Sequence, residues 1–170
     1  MTSHRPSPQR GKASLSVAVL LLSLAALQGA AQETQERGFW TDPSTGLMWA
    51  GKDNGRDVSW KGAVKYCRDL RSGGYSDWRL ANMAELQGIY DKTANAPGLA
   101  GKHDDVQTMW HVKGNLFLTG YQWADDHIGH TSSGYHFYFD FNEGKSNNQP
   151  SGFLHSSSFM RALCVRGSAK

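Results

Sequence analysis

The densest cluster of potential metal ligands is the stretch Asp125-Asp126-His127-Ile128-Gly129-His130. Zinc and calcium are bound by such side chains, here two imidazoles three residues apart with two carboxylates beside them. No further ligand set at metal-binding spacing accompanies them, and loops between strands are commonly polar. We therefore interpret the segment as a solvated loop. Its candidates for a metal site, with calcium as the cofactor to test, are Asp125, Asp126, His127 and His130.

Nucleophilic catalysis finds little support in the sequence. Ser, His and Asp are abundant, but no Gly-x-Ser-x-Gly nucleophile elbow occurs. A carboxylate pair for glycoside hydrolysis depends on distances in space that a sequence does not give. We assign no catalytic residue and expect a protein that is not an enzyme, with a hydrolase kept as an alternative.

Aromatic residues near polar loops suggest a different chemistry. Apolar ring faces beside Asn, Asp and Gln side chains are typical of sugar-binding surfaces. The alternative is that most of these rings form the core, as a domain of this size requires. The candidate ligand-binding residues are Trp110, Tyr121, Trp123, Asp125, Asp126, His127 and His130, with Tyr138 as a further exposed-ring candidate.

The first 31 residues have the layout of a secretory signal peptide. A basic lead precedes an apolar run from Leu15 to Leu27 and small residues up to Ala31. The run is shorter than the roughly 20 residues that span a bilayer, so we expect cleavage and no membrane span in the mature protein. Residues 32–37 would be a short flexible lead-in. A periplasmic or secreted location follows.

The charge of the mature chain argues against nucleic acid as a partner. Of the 18 Lys and Arg residues, three lie in the leader, which leaves 15 against 15 acidic residues. Nucleic-acid binding relies on an excess of positive charge. Two cysteines, Cys67 and Cys164, in an exported chain predict one disulfide, with a reactive or metal-binding pair as the alternative.

The first half of the chain predicts a hairpin and two helices. Phe39–Thr41 and Leu47–Trp49 flank an Asp-Pro turn. Ser59 is a good N-cap for a helix whose apolar stripe runs from Trp60 through Cys67 to Leu70, ended by Gly73 and Gly74. Trp78-Arg79-Leu80 is typical of a short buried strand. Asn82 and Glu85 have the spacing of a capping box for a second helix that runs towards Tyr90.

The second half predicts strands. Residues 93–107 are polar and aperiodic, which favours a long loop. We expect strands at Leu116–Thr119, Tyr121–Ala124 and Tyr135–Phe141, then a turn and a polar loop through Ser158, and a final strand over Phe159–Arg166. This order indicates an α+β domain with two helices packed on antiparallel strands.

Four motifs in order resemble the Lcl C-terminal domain family, a bacterial family of unknown function. They are T-G-L-M-W at 45–49, W-K-G-A-V-K-Y-C at 60–67, G-Y-S-D-W-R-L-A-N-M-A-E-L at 74–86 and R-A-L-C-V-R at 161–166. The resemblance covers residues 38–167, which we take as one domain. Ala81 departs from the pattern, because the family usually has Pro there. The motif residues to which we assign structural roles are Trp49, Trp78, Arg79, Leu80 and Glu85.

The resemblance implies a fold and limits the function. The family is similar to C-type lectins and to formylglycine-generating enzymes, which implies terminal strands close together and a disulfide from the first helix to the last strand. It favours a non-enzymatic module that recognises a glycan or a cell-surface protein, as in adhesion, through long loops near residues 93–130 and 142–158. An enzyme of the formylglycine-generating type and an oligomeric structural protein of the envelope are the alternatives.

Overall fold

A computed structural model of the chain describes residues 37–100, 106–129, 134–150 and 158–168. Those ranges contain two α-helices, a 3-10 turn at Lys113–Asn115 and ten strands in three sheets. In chain order the elements are β1 (Phe39–Thr41), β2 (Met48–Ala50), α1 (Trp60–Asp69), β3 (Arg79–Leu80), α2 (Met83–Gly88), β4 (Ala96–Ala100), β5 (Val106–Trp110), β6 (Tyr121–Ile128), β7 (Tyr135–Asp140), β8 (Lys145–Pro150), β9 (Met160–Arg161) and β10 (Cys164–Arg166). No helix in these ranges has the length and hydropathy to cross a membrane.

The first sheet joins the two ends of the domain in the order β1-β2-β10-β3. Trp49 on β2 lies opposite both Trp40 and Val165, so the terminal strands flank the same central strand. The predicted hairpin is confirmed, and Asp42 shapes its turn by accepting hydrogen bonds from the Ser44 amide (3.0 Å) and the Thr45 hydroxyl (2.7 Å). Terminal strands that are close together are therefore a property of this chain.

A four-stranded sheet in the order β8-β7-β6-β9 forms the other half of the molecule. Strands β6, β7 and β8 are antiparallel neighbours, but β9 pairs with β6 in the parallel direction. This pair departs from the expected purely antiparallel arrangement. The predicted final strand over Phe159–Arg166 is in fact two short strands, β9 and β10, which belong to different sheets.

Two regions predicted as loops contain strands instead. Strands β4 and β5 form an antiparallel hairpin within residues 93–110, and β8 is a strand although all its side chains are polar apart from Pro150. Backbone hydrogen bonds pair these strands, so they form although their side chains show no hydrophobic alternation. Conversely, the strand predicted at Leu116–Thr119 is irregular, with one isolated bridge between Phe117 and Lys52.

The first helix is as predicted and is covalently attached to the last strand. Ser59 caps α1 by accepting a hydrogen bond from the Gly62 amide (3.2 Å). Cys67, fully buried on this helix, forms the disulfide with Cys164 of β10, with 5.3 Å between their Cα atoms. In the chain-entropy model a loop of 97 residues closed in this way stabilises the fold by roughly 4 to 5 kcal/mol.

The residues between Gly73 and Leu86 have structural roles. Asn82 and Glu85 form the predicted capping box, and α2 ends at Gly88, slightly before the predicted end. Arg79 donates to both oxygens of Glu85 at 2.8 and 2.6 Å. Trp78 and Leu80 are buried on either side of Arg79 and pack in the core cluster that contains the disulfide.

Candidate functional site

Five aromatic rings gather on one face of the sheet formed by β6, β7 and β8. We call this surface the aromatic face and define it by Trp60, Tyr121, His127, His136 and Tyr138. The buried Trp123 connects them, because its ring contacts those of His136 (6.4 Å between centroids) and Tyr138 (6.1 Å) edge-on. His136 is buried, whereas the other four rings keep part of their surface exposed.

Trp60 reaches this face from α1 and is held in a fixed orientation. Its ring stacks on His136 with 4.1 Å between centroids and 9° between planes, and His127 lies 5.5 Å away. The Trp60 indole N–H donates to the Ala124 carbonyl (2.8 Å), while the Trp123 indole N–H donates to the Val58 carbonyl (2.8 Å). These bonds use the polar groups of both indoles, so the half-buried Trp60 ring is preorganised for stacking.

Tyr121 and Tyr138 form the other end of the aromatic face. Their rings lie 5.7 Å apart with a 34° tilt. Within the described ranges neither hydroxyl has a hydrogen-bond partner. Burial raises the pKa of both phenols, and the charge of Asp140 adds to the effect, so both hydroxyls remain protonated donors at neutral pH. Two half-buried rings with available hydroxyls can contact a ligand through both ring and oxygen.

The edge strand β8 borders this face with amide side chains. Asn147 lies opposite Tyr138 and Gln149 lies opposite His136. Residues directly opposite each other in an antiparallel pair project on the same side of the sheet, so both amides share the side of the aromatic rings. Asn147 is exposed and Gln149 is half-buried. Rings and amides together are the side-chain types predicted for sugar binding.

Asp125, Asp126 and His127, which were predicted to lie in a loop, belong to strand β6. Three residues, Ala124 to Asp126, lie opposite the single Phe137, which makes a bulge in β6. The Asp125 amide donates to the Ala81 carbonyl (2.8 Å), and Asp126 accepts from the Met83 amide. Burial, followed by the charge of Asp126, raises the pKa of Asp125. The acidic pair therefore attaches β6 to the start of α2.

The described residues at this position do not form a metal site. In the part of the chain that the structure describes, no three His, Cys, Asp or Glu residues are placed to hold an ion. His127 faces the Trp60 and His136 rings at 5.5 and 6.0 Å. His130 lies outside the described residues, as do parts of the predicted binding loops, at 101–105, 130–133 and 151–157.

Two of the predicted exposed aromatics belong to the core. Trp110 is 2% exposed and Trp123 is 4% exposed, so neither presents a ring face to solvent. Tyr121 and His127 lie on the aromatic face, and Tyr138 joins them there. Sequence reasoning missed Trp60 and His136. The alternation of β7 could have identified His136, because it places His136 on the same side of the strand as Tyr138. Trp60 fitted the apolar stripe of α1 and was therefore assigned to the core.

A buried polar network, also missed from the sequence, supports β6 from the opposite side. Asp53 is 3% exposed and accepts from the Thr119 amide (2.7 Å), the Thr119 hydroxyl (2.9 Å) and the Gln122 amide group (2.9 Å). Burial raises the pKa of Asp53 against the effect of these bonds. Arg161 extends the network by donating to the Thr119 hydroxyl (2.7 Å). Its members lie up to 108 positions apart, so spacing could not reveal them.

Together these features define a disulfide-linked α+β domain with an aromatic surface on its four-stranded sheet. The family model of the Lcl C-terminal domain matches residues 38–166, and the chain belongs to that family. No curated protein and no solved structure matched the chain.

Proposed function

We propose that this domain is a non-enzymatic binding module of an exported protein, periplasmic or secreted, that recognises a glycan or a glycan-bearing cell-surface protein on the aromatic face. The fold we propose is C-type-lectin-like. The observation that supports the function best is the connected cluster of rings around Trp123, with Trp60, Tyr121 and Tyr138 each partly exposed.

The chemistry of the aromatic face fits carbohydrate. A sugar ring presents C–H groups that pack on aromatic faces and hydroxyls that exchange hydrogen bonds with amides and phenols. The half-buried rings supply the first kind of contact, and Asn147 with the two phenolic hydroxyls supplies the second. The rings are fixed by packing and by the indole hydrogen bonds, which lowers the entropic cost of binding.

The disulfide supports export. Structural disulfides persist in oxidising compartments and are rare in reducing ones. Both cysteines of the chain form this bond. The leader predicted at residues 1–31 would supply the route, although these residues lie outside those the structure describes. The disulfide also leaves neither sulfur as a thiol, so the formylglycine-type alternative would require the reduced protein.

A glycan array tests the proposal directly. The mature protein, residues 32–170, is applied with calcium and with a chelator, and a hit is then titrated in solution. We expect binding to a defined carbohydrate class, and the comparison of the two conditions tests whether calcium contributes to it. An array without any bound glycan overturns the carbohydrate proposal. A trimer or dimer without ligand dependence would instead favour the structural envelope alternative.

Two tyrosines on one strand provide a matched pair of variants. Tyr138 and Tyr135 both lie on β7 but differ by three positions, so they project on opposite sides of the sheet. We expect Tyr138→Ala to weaken binding about tenfold, equivalent to about 1.4 kcal/mol, and Tyr135→Ala to change it less than about twofold. Titration calorimetry measures both. The reverse order would move the site to the opposite side of the sheet, where Tyr135 is 48% exposed.

A further inference from the structure

A pocket of about 450 Å³ opens beside α1, away from the aromatic face. Three cationic side chains line it, namely Arg56, Lys65 and Arg71, around a surface formed by Val58, Tyr66 and Leu70. Small-molecule sites typically have volumes of about 300–1,000 Å³ and mix an apolar surface with a few polar groups. The pocket therefore has the size of a small-molecule site, and its charged groups are mostly of one sign.

The cationic side chains of the pocket differ in their hydrogen-bond and ion-pair partners. Lys65 pairs with Asp69, the one carboxylate in the lining, and Arg68 pairs with it as well. Arg71 donates to the carbonyls of Arg68 (3.3 Å) and Leu70 (2.9 Å). The Arg56 side chain has no hydrogen bond or ion pair within the described residues. A guanidinium without a protein partner at a pocket is available for an anion.

The loop that carries Arg56 is fixed on both sides. The Asn54 side chain donates to the Arg56 carbonyl (2.7 Å) and accepts from the Ala162 amide (2.7 Å). The Gly55 amide donates to the buried Asp53 (2.9 Å), and Asp57 accepts from the Phe159 amide (2.9 Å). The backbone at Arg56 is thus held in place before any ligand arrives, which reduces the cost of ordering it.

Tyr66 lies between this pocket and a smaller one. It lines both the 450 Å³ pocket and a neighbouring cavity of about 120 Å³, as does Leu70. Burial and then the charge of Asp53 raise the pKa of Tyr66, so its hydroxyl stays protonated at neutral pH. A protonated phenol can donate a hydrogen bond to an anionic oxygen.

We propose that this pocket binds a small organic carboxylate, with the carboxylate at Arg56 and the apolar body against Val58, Tyr66 and Leu70. A guanidinium matches a carboxylate through two parallel N–H···O bonds, which a lysine cannot do. Arg71 adds positive potential, which the cleft concentrates, whereas the charge of Lys65 is compensated by Asp69. This site shares no residue with the aromatic face, so it does not depend on the proposed glycan function.

Acid and amide pairs of the same shape test the proposal. The probes are 4-methylbenzoate with 4-methylbenzamide and hexanoate with hexanamide, followed by protein-detected NMR of the mature chain. We expect saturable shifts at Tyr66 and Leu70, with each acid bound at least about tenfold more tightly than its amide. Equal affinity of acid and amide overturns the proposal, as does an absence of saturable shifts up to about 10 mM, above the millimolar range of weak ligands.

A charge-matched pair of variants separates local from distant electrostatics. Arg56→Gln and Lys61→Gln each remove one positive charge, but Lys61 is exposed on α1 and does not line the pocket. We expect Arg56→Gln to weaken binding of the acids about tenfold, and Lys61→Gln to weaken it less than about twofold. Equal effects of the two variants contradict a site at Arg56. Sodium sulfate and sodium phosphate that bind as tightly as the organic acids also contradict it.

Discussion

The buried network at Asp53 and the cationic pocket beside α1 are adjacent but opposite in character. Asp53 accepts bonds from Thr119, Gln122 and the Gly55 amide, and all these donors come from the domain itself. Arg56, three positions further along the chain, has no such partner in the described residues. The same loop therefore carries one ionisable side chain, Asp53, that is bonded inside the domain and another, Arg56, that we propose binds a ligand.

This contrast gives a physical criterion for separating folding residues from binding residues. Replacing a polar group that is hydrogen-bonded inside the domain lowers the free energy of unfolding, because its former partners are left buried and unpaired. Replacing a polar group that has no such partner changes the free energy of unfolding little, and the group is available to bind a ligand. Asp53, Glu85 and Arg56 differ in their internal partners, so the effects of replacing them on folding should differ in the same order.

The largest effect is expected at Asp53. Asp53→Asn replaces an acceptor oxygen with an amide N–H₂ that faces buried donors, so we expect a loss of about 3 kcal/mol in the free energy of unfolding. Urea denaturation with the disulfide intact measures it. The control is Asp69→Asn, an exposed carboxylate whose ion pairs with Lys65 and Arg68 lie at the surface, so it should shift the unfolding midpoint much less than Asp53→Asn does. A loss below about 1 kcal/mol at Asp53 would contradict an essential internal role.

An intermediate effect is expected at Glu85. Burial alone would raise the pKa of Glu85, but the hydrogen bonds from Arg79 and from the Asn82 amide, with the charge of Arg79, lower it. Its stabilisation is therefore complete above the unfolded pKa, about 4.3, and is lost as the pH falls through the lower folded value. Glu85→Gln should cost about 1 to 2 kcal/mol at pH 7 and less at acidic pH.

Urea denaturation at several pH values gives the difference in free energy of unfolding between wild type and Glu85→Gln. This difference isolates the contribution of Glu85 from those of the other carboxylates. A difference that stays constant from neutral pH down to about pH 2 would contradict the assigned pairing, because protonated Glu85 should no longer bind Arg79 as an anion.

The smallest effect on folding is expected at Arg56. Because its guanidinium has no partner in the described residues, Arg56→Gln should change the free energy of unfolding by less than about 0.5 kcal/mol, although it should weaken acid binding about tenfold. Thermal denaturation and the NMR titration are run on the same sample. A destabilisation comparable with that of Asp53→Asn would place Arg56 with the folding residues.

Local patterns in the sequence predicted the parts of the fold that local forces hold. The hairpin turn at Asp42, the apolar stripe of α1 and the capping box at Asn82 all depend on residues a few positions apart. The two cysteines predicted the disulfide because an even count, in a chain with a predicted secretory leader, leaves one pairing. These signals act over short stretches or concern a rare residue, so one sequence is sufficient to recognise them.

Long-range pairing was not predictable in this way. Strand β8 has polar side chains because its position at the edge of a sheet requires no burial, and its backbone hydrogen bonds to β7 leave no trace in composition. Burial of Trp110 and Trp123 depends on elements distant in the chain. For the candidate site, Tyr121 and His127 were predicted, whereas Trp60 arrives from a helix about 60 positions earlier.

The disulfide also determines which part of the domain would carry a mechanical load. A pull on the two ends of the domain acts through Phe39 to Cys67, passes across the covalent bond and leaves through Cys164. Residues 68–163 lie outside this path, and they include every strand of the aromatic face. Trp60 is the one residue of the aromatic face on the loaded segment, so covalent tension would act on Trp60 while it bypasses Tyr121 and Tyr138.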